Sequence, residues 1–188
     1  IELNTIGDVK GKSLLHLQCH FGQDSISFAR MGAKVTGVDF SDAAINEAKR
    51  IAAEMNMHVN FIESNVLDLK LNKEFDIIFS SYGVIGWLPD LDKWAATIAT
   101  HLKKGGLFLL TEFHPFLDLI KDNGYDYFYD PKPDIEIEYG TYTDGGSELV
   151  TKTCWWNHSL TNIFSALESN GLKLTHFKEF DYSPFLLD

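Results

Sequence analysis

The sequence predicts an α/β chain, a parallel sheet whose strands are joined by crossover helices. Short apolar runs alternate with longer stretches of helical period, the alternation that βα units produce. The run Phe75-Asp76-Ile77-Ile78-Phe79 is almost wholly apolar, as a strand covered on both faces requires. No internal repeat or low-complexity linker interrupts the 188 residues, a length that suits a single domain over 1–188.

The elements follow in order. Ser13-Leu14-Leu15-His16-Leu17 reads as the first strand; Gly22 opens a helix through residues 24–30, and Gly32 stops it. Lys34-Val35-Thr36-Gly37-Val38-Asp39 is the second strand. Ser41 is the N-cap candidate for a helix over 42–56, where Ala44, Ile45, Ala48, Ile51, Ala52 and Met55 recur at helical spacing. Residues 60–63 and 75–79 read as the third and fourth strands, and 90–102 as the next helix. Lys104-Gly105-Gly106 turns the chain into a fifth strand over 107–112. Residues 113–157 change character: Pro115, Pro131, Pro133, Gly140, Gly145 and Gly146 punctuate an aromatic and acidic stretch, read as an insertion or substrate lid. Helical spacing returns over 159–169 and ends at Gly171, before a late strand over 172–177.

Composition narrows the function classes. Sixteen basic against 27 acidic residues leave a formal charge of −11, which repels a phosphate backbone, so no nucleic-acid partner is expected. No apolar run approaches the ~20 residues of a membrane span, and no membrane partner is expected. Two cysteines, Cys19 and Cys154, are too few for a disulfide framework, and the start shows no signal peptide. A cytoplasmic monomer or homodimer is the expectation.

A parallel sheet of this kind binds ligands outside the carboxyl ends of its strands, where the first strand turns into a helix. The informative loop therefore runs from Gln18 to Asp24, with Gly22 where the backbone enters the helix. Asp39, at the end of the second strand, suits a carboxylate that accepts both ribose hydroxyls of an adenosine. Phe40 beside it suits the adenine face, and Asn65 or Val66 the adenine edge. Ser41 follows Phe40, and Ser80 and Ser81 follow the fourth strand.

Leu14-Leu15-His16-Leu17-Gln18-Cys19-His20-Phe21-Gly22, then Val35-Thr36-Gly37-Val38-Asp39-Phe40-Ser41, resembles the first two cofactor motifs of class I S-adenosylmethionine-dependent methyltransferases. Phe75-Asp76-Ile77-Ile78-Phe79-Ser80-Ser81 and Leu102-Lys103-Lys104-Gly105-Gly106-Leu107 resemble the next two. The resemblance is strong over 12–113, and Ser81-Tyr82-Gly83-Val84-Ile85-Gly86-Trp87-Leu88-Pro89-Asp90-Leu91 is similar to a bacterial methyltransferase-like subgroup. It implies a three-layer Rossmann-like fold, a mostly parallel seven-stranded sheet with helices on both faces, and S-adenosylmethionine held by Gln18, Cys19, His20, Gly22, Asp24, Asp39, Phe40, Ser41, Asn65, Val66, Ser80 and Ser81. The chain departs from the family pattern where His16 stands for an acidic residue and Gln18 and His20 for glycines.

Methyl transfer needs a nucleophile held near the methyl group and a route for its proton. Tyr82, after the fourth strand, His114, after the fifth, and His158, at the start of the late helix, are the catalytic candidates, with His114 preferred as base. Trp155 and Trp156 suit an aromatic wall for a small-molecule methyl acceptor. His16 and His20 lie four apart, but only a helix would stack them on one face, so no metal site is expected. Cys19 reads as a small packing residue with a useful backbone amide. Two alternatives stay open: a nicotinamide-dependent oxidoreductase, whose ribose Asp39 would also suit, and a non-catalytic S-adenosylmethionine-binding protein.

Overall fold

The computed structural model describes residues 2–115, 127–139 and 150–182. Five strands form a wholly parallel sheet in the order β3-β2-β1-β4-β5. They are β1 Ser13–Leu17, β2 Lys34–Asp39, β3 Asn60–Glu63, β4 Phe75–Ser81 and β5 Leu102–Thr111. Two more, β6 Asp134–Tyr139 and β7 Val150–Trp155, pair antiparallel as a separate ribbon. The mostly parallel seven-stranded expectation is thus met as five strands plus two.

Alternation along each strand feeds two cores. Leu14, Val35, Ile77 and Phe79 join Phe28 and Ala29 of α2 Gln23–Arg30 on one face. Leu15, Leu17, Val38 and Ile78 join Trp94 and Ile98 of α4 Leu91–His101 and Ile163 of α5 Leu160–Ser169 on the other. The short α1 Glu2–Ile6 joins the first face through Ile6, and Ile45, Ala48 and Ala52 of α3 Asp42–Glu54 form a smaller third cluster with Ile26 of α2 and Phe61 of β3. Each buried leucine or isoleucine contributes about 1.5–3 kcal/mol, so the apolar strands drive the layering.

The helix starts follow the cap signals. The Ser41 hydroxyl accepts from Ala44 N, the Asp90 carboxylate from Lys93 N, and Ser159 forms a reciprocal capping box with Asn162. α3, α4 and α5 are a residue or two shorter than the apolar period suggests, whereas α2 starts one residue earlier, at Gln23.

Three readings change. The Lys104-Gly105-Gly106 segment lies inside β5, whose pairing with β4 shifts register between Phe75 and Ile77; Gly105, at φ 79°, serves that irregularity. Residues 172–177 form no strand among the described residues; Phe177 packs edge-on against Phe164 of α5, with ring centroids 5.4 Å apart. Within 113–157, β6 and β7 supply regular structure; the period-2 signal of Ile135 and Ile137 between acidic residues was present in the sequence. Gly140, Gly145 and Gly146 lie outside the described residues. Among the described residues no helix is long and apolar enough to cross a membrane.

Candidate active site

The chain runs outward from β1 to β2 and β3, then returns to place β4 on the other side of β1. Connections leaving β1 and β4 therefore diverge, and a crevice opens at their carboxyl ends. The loop after β1 carries Gln18 at φ 56°, His20 at φ 49° and Gly22 at φ 70°. Left-handed backbone costs a non-glycine residue roughly 1–2 kcal/mol. The two positions that lack glycine thus keep the backbone shape that glycine would adopt. Hydrogen bonds hold them there: Cys19 N donates to Val38 O at 2.9 Å, Gly22 N to Cys19 O at 2.8 Å, and His20 N to Asp39 Oδ2 at 2.8 Å. Gly22 is required by space as well, since a Cβ there would lie 2.5 Å from Cζ of Phe61. The same ring underlies Gly37, where a Cβ would meet it at 2.8 Å, so Phe61 is the floor of the loop.

Asp39 is buried, and each carboxylate oxygen accepts one backbone amide, Oδ2 from His20 and Oδ1 from Ser41 at 3.0 Å. A carboxylate oxygen takes more than one donor, so the pair retains acceptor capacity toward two adjacent hydroxyls. Phe40 is 74% exposed, an aromatic face left in water beside that carboxylate. Asn65 turns its Oδ1 onto Leu67 N at 3.0 Å, so its side chain shapes its own loop. Val66 is a core residue whose carbonyl accepts from Thr97 Oγ1 at 2.9 Å. The Cys19 amide, expected to face a ligand, is engaged by Val38, and burial followed by the Asp39 charge pushes its thiol up to about 12; the residue packs.

Across the crevice, Gln18 Nε2 donates to Val84 O at 2.9 Å and ties the β1 loop to the segment after β4. Its Oε1 is buried with no partner among the described residues, as is Ser80 Oγ. His16 is fully buried, its Nδ1 at 2.9 Å from Ser25 Oγ, and burial pushes its pKa down to about 3. That ring is neutral. Ser81 Oγ donates to Asp24 Oδ2 at 3.4 Å, and the Tyr82 hydroxyl donates to the Glu2 carboxylate. Burial, then Glu2, raises the Tyr82 pKa, which keeps the phenol protonated.

Glu112, immediately beyond β5, was read in the sequence only as a strand end. Its carboxylate accepts from Gly83 N at 2.7 Å, Val84 N at 3.0 Å and Phe113 N at 3.2 Å, fixing the loop that begins with left-handed Tyr82 at φ 52°. Burial raises its pKa even though the amide bonds oppose the shift. An acidic residue ending an otherwise apolar strand was the available signal.

His114 Nε2 lies 3.0 Å from Glu179 Oε1, a partner contributed by the irregular segment after α5. His158 is buried: its Nε2 donates to Leu88 O at 2.7 Å, and Tyr129 stacks on the ring at 5.2 Å. Trp155 packs on Gly86, where an added Cβ would come within 2.1 Å of the indole, and Trp156 N donates to Gly86 O at 2.8 Å. His158 and both tryptophans therefore dock the ribbon onto residues 85–89. Two surface hollows, one around Lys10, Lys12, Lys103 and Lys104 and one around Lys34, Asn56 and Lys73, lie at the amino ends of the strands, opposite the crevice.

The crevice fits an adenosyl group: the left-handed loop admits close approach, Asp39 keeps paired acceptors, and a buried amide oxygen awaits a donor. The sequence model of the methyltransferase domain matches residues 14–106. A ubiquinone biosynthesis O-methyltransferase of Coxiella burnetii is 30% identical over 181 residues, covering 94% of this chain and 70% of the relative. An S-adenosylmethionine-dependent methyltransferase of Clostridium acetobutylicum superposes with a TM-score of 0.69 at 16% identity, over 87% of this chain and 74% of that one. The corresponding Mesorhizobium loti structure gives 0.68 at 20% identity, over 94% and 81%. Motifs, sheet order and these likenesses agree, and the chain belongs to the class I, Rossmann-like S-adenosylmethionine-dependent methyltransferases.

Proposed function

We propose that the crevice between β1 and β4 binds S-adenosylmethionine through Asp39 and the Gln18–Gly22 loop, and that the enzyme methylates a hydroxyl of a small organic acceptor. The observation that carries the reading is Asp39, buried yet holding acceptor capacity on both oxygens beside a strained loop. The relatives are named for O-methyl transfer in ubiquinone biosynthesis, which supports an oxygen acceptor. The bound cofactor supplies an electrophilic methyl group on a sulfonium. His114 is the base that takes the acceptor's proton, and Glu179, 3.0 Å away, orients the ring and offsets its charge once protonated. Tyr82, held protonated with its proton given to Glu2, offers its hydroxyl oxygen as an acceptor at the same mouth. His158 serves ribbon docking rather than proton transfer.

The described parts of 113–157, the β6–β7 ribbon among them, serve as a lid for the acceptor, anchored through Trp155 on Gly86; 116–126 and 140–149 lie outside the described residues. The net charge of −11 favours a neutral or cationic small molecule over a polyanion. A cytoplasmic monomer or homodimer completes the reading.

Calorimetric titration with S-adenosylmethionine and S-adenosylhomocysteine tests it. Asp39→Ala is expected to weaken both by about 1–3 kcal/mol through loss of a charge-assisted bond. Unchanged affinity in a folded variant would remove Asp39 from the site.

A further inference from the structure

We infer that Asp24 receives the α-ammonium of the methionine end of the cofactor, with Gln18 Oε1 as a second acceptor, in place of the residue at position 16. The inference rests on the cofactor site proposed above. A primary ammonium brings three donors and a full charge into a partly dry crevice, and it needs acceptors and a counter-charge there. Residue 16 offers no charge: it is a buried, neutral histidine turned to Ser25.

With adenosine anchored at the end of β2 by Asp39, the other end of the molecule runs over the β1 loop toward β4. Besides Glu179, which faces His114, the carboxylates described at that end are Glu112, Glu2 and Asp24. Glu112 is occupied by the amides of Gly83, Val84 and Phe113, and Glu2 takes the Tyr82 hydroxyl. Asp24 differs. It sits in the first turn of α2, exposed, and among the described residues its sole hydrogen bond is the 3.4 Å contact from Ser81 across the β1–β4 crevice. Protein packed around it, then the Glu2 charge, raises its pKa, a strain that an adjacent cation relieves. Gln18 provides the independent observation. Its amide nitrogen is pinned to Val84 O, which fixes the amide plane and leaves Oε1 buried and without a partner among the described residues. A buried acceptor in that condition carries its desolvation cost uncompensated until a ligand donor meets it.

The test compares wild type with Asp24→Asn by calorimetry on three probes. These are S-adenosylhomocysteine, its deaminated analogue, in which hydrogen replaces the amino group, and 5′-methylthioadenosine, which lacks the amino-acid end. Asp24→Asn is expected to weaken S-adenosylhomocysteine about tenfold or more, the size of a lost charge-assisted bond, and to leave the other two unchanged. Retained binding of 5′-methylthioadenosine also shows that the variant site is folded. Equal affinity of both proteins for S-adenosylhomocysteine, or an equal loss on all three probes, would overturn the assignment while leaving the cofactor site standing. Wild-type protein that binds none of the three would overturn the site and this assignment together.

Discussion

The two sides of the crevice are held in shape by different means. On the β2 side, conformation is enforced by main chain: left-handed Gln18, His20 and Gly22, an amide on each oxygen of Asp39, and a phenyl ring filling the space beneath two glycines. On the β4–β5 side, long-range side chains do the work. Glu112 clamps the loop after β4, Glu179 reaches His114, and the indole of Trp155 seats on Gly86. A main-chain mould is held by backbone amides and carbonyls and so tolerates unusual side chains at its own positions, whereas a side-chain clamp depends on the identity of particular distant residues. The contrast explains how a loop missing two glycines can still have the shape of a cofactor loop.

The largest expected effect breaks the clamped side. Glu112→Ala strands the amides of Gly83, Val84 and Phe113, and at about 1–3 kcal/mol per unsatisfied buried donor the loss reaches about 3 kcal/mol or more in urea unfolding. A loss below about 1 kcal/mol would mean that solvent already serves those amides.

The next effect lies under the moulded side and appears only in acid. The His16 ring titrates near 6.5 when unfolded and near about 3 when folded. Above pH 6.5 both states are neutral and the contribution is intact; below it the unfolded chain alone takes up a proton. Stability therefore falls about 1.4 kcal/mol per pH unit, a loss of about 2 kcal/mol near pH 5. His158, whose pKa is also lowered by burial, adds to the same trend. His16→Gln, compared with wild type by denaturant titration at pH 7.5 and pH 5, is expected to lose less on acidification. Parallel losses would place the acid sensitivity elsewhere.

The smallest effect has the opposite sign. His20→Gly relieves a left-handed conformation at φ 49°, while adding chain entropy to the unfolded state, so a net gain of about 0.5–1 kcal/mol is expected. S-adenosylhomocysteine affinity should hold, because His20 reaches Asp39 through its amide. A destabilised variant would show that the tilted contact of His20 with Phe21, with ring centroids 3.8 Å apart, outweighs the strain.

How far the sequence could be read follows the same division. Asp39, Gly22 and the Ser41 cap were legible because each is a local signal at a strand end or helix start. Glu112 offered only its place at the end of an apolar strand, and Glu179 offered no local signal, because their amide and imidazole partners lie far away in the chain. His158 was legible as a conspicuous histidine, but its bond to the Leu88 carbonyl, 70 residues away, was not. The late strand failed for the reason strands usually do: a β-run needs an edge to pair with, and the edge is a tertiary property.

By itself, the sequence determined the alternation of strands and helices, the two-faced burial of β1 and β4, the helix caps and the acidic anchor after β2. These depend on apolar period and on hydrogen bonds within a few residues. Only the tertiary structure decided that Gln18 and His20 adopt glycine's backbone, that Gln18 is tied to Val84 and that Glu112 holds the opposite lip. Those outcomes rest on hydrogen bonds and close packing between segments that meet only after the sheet has assembled.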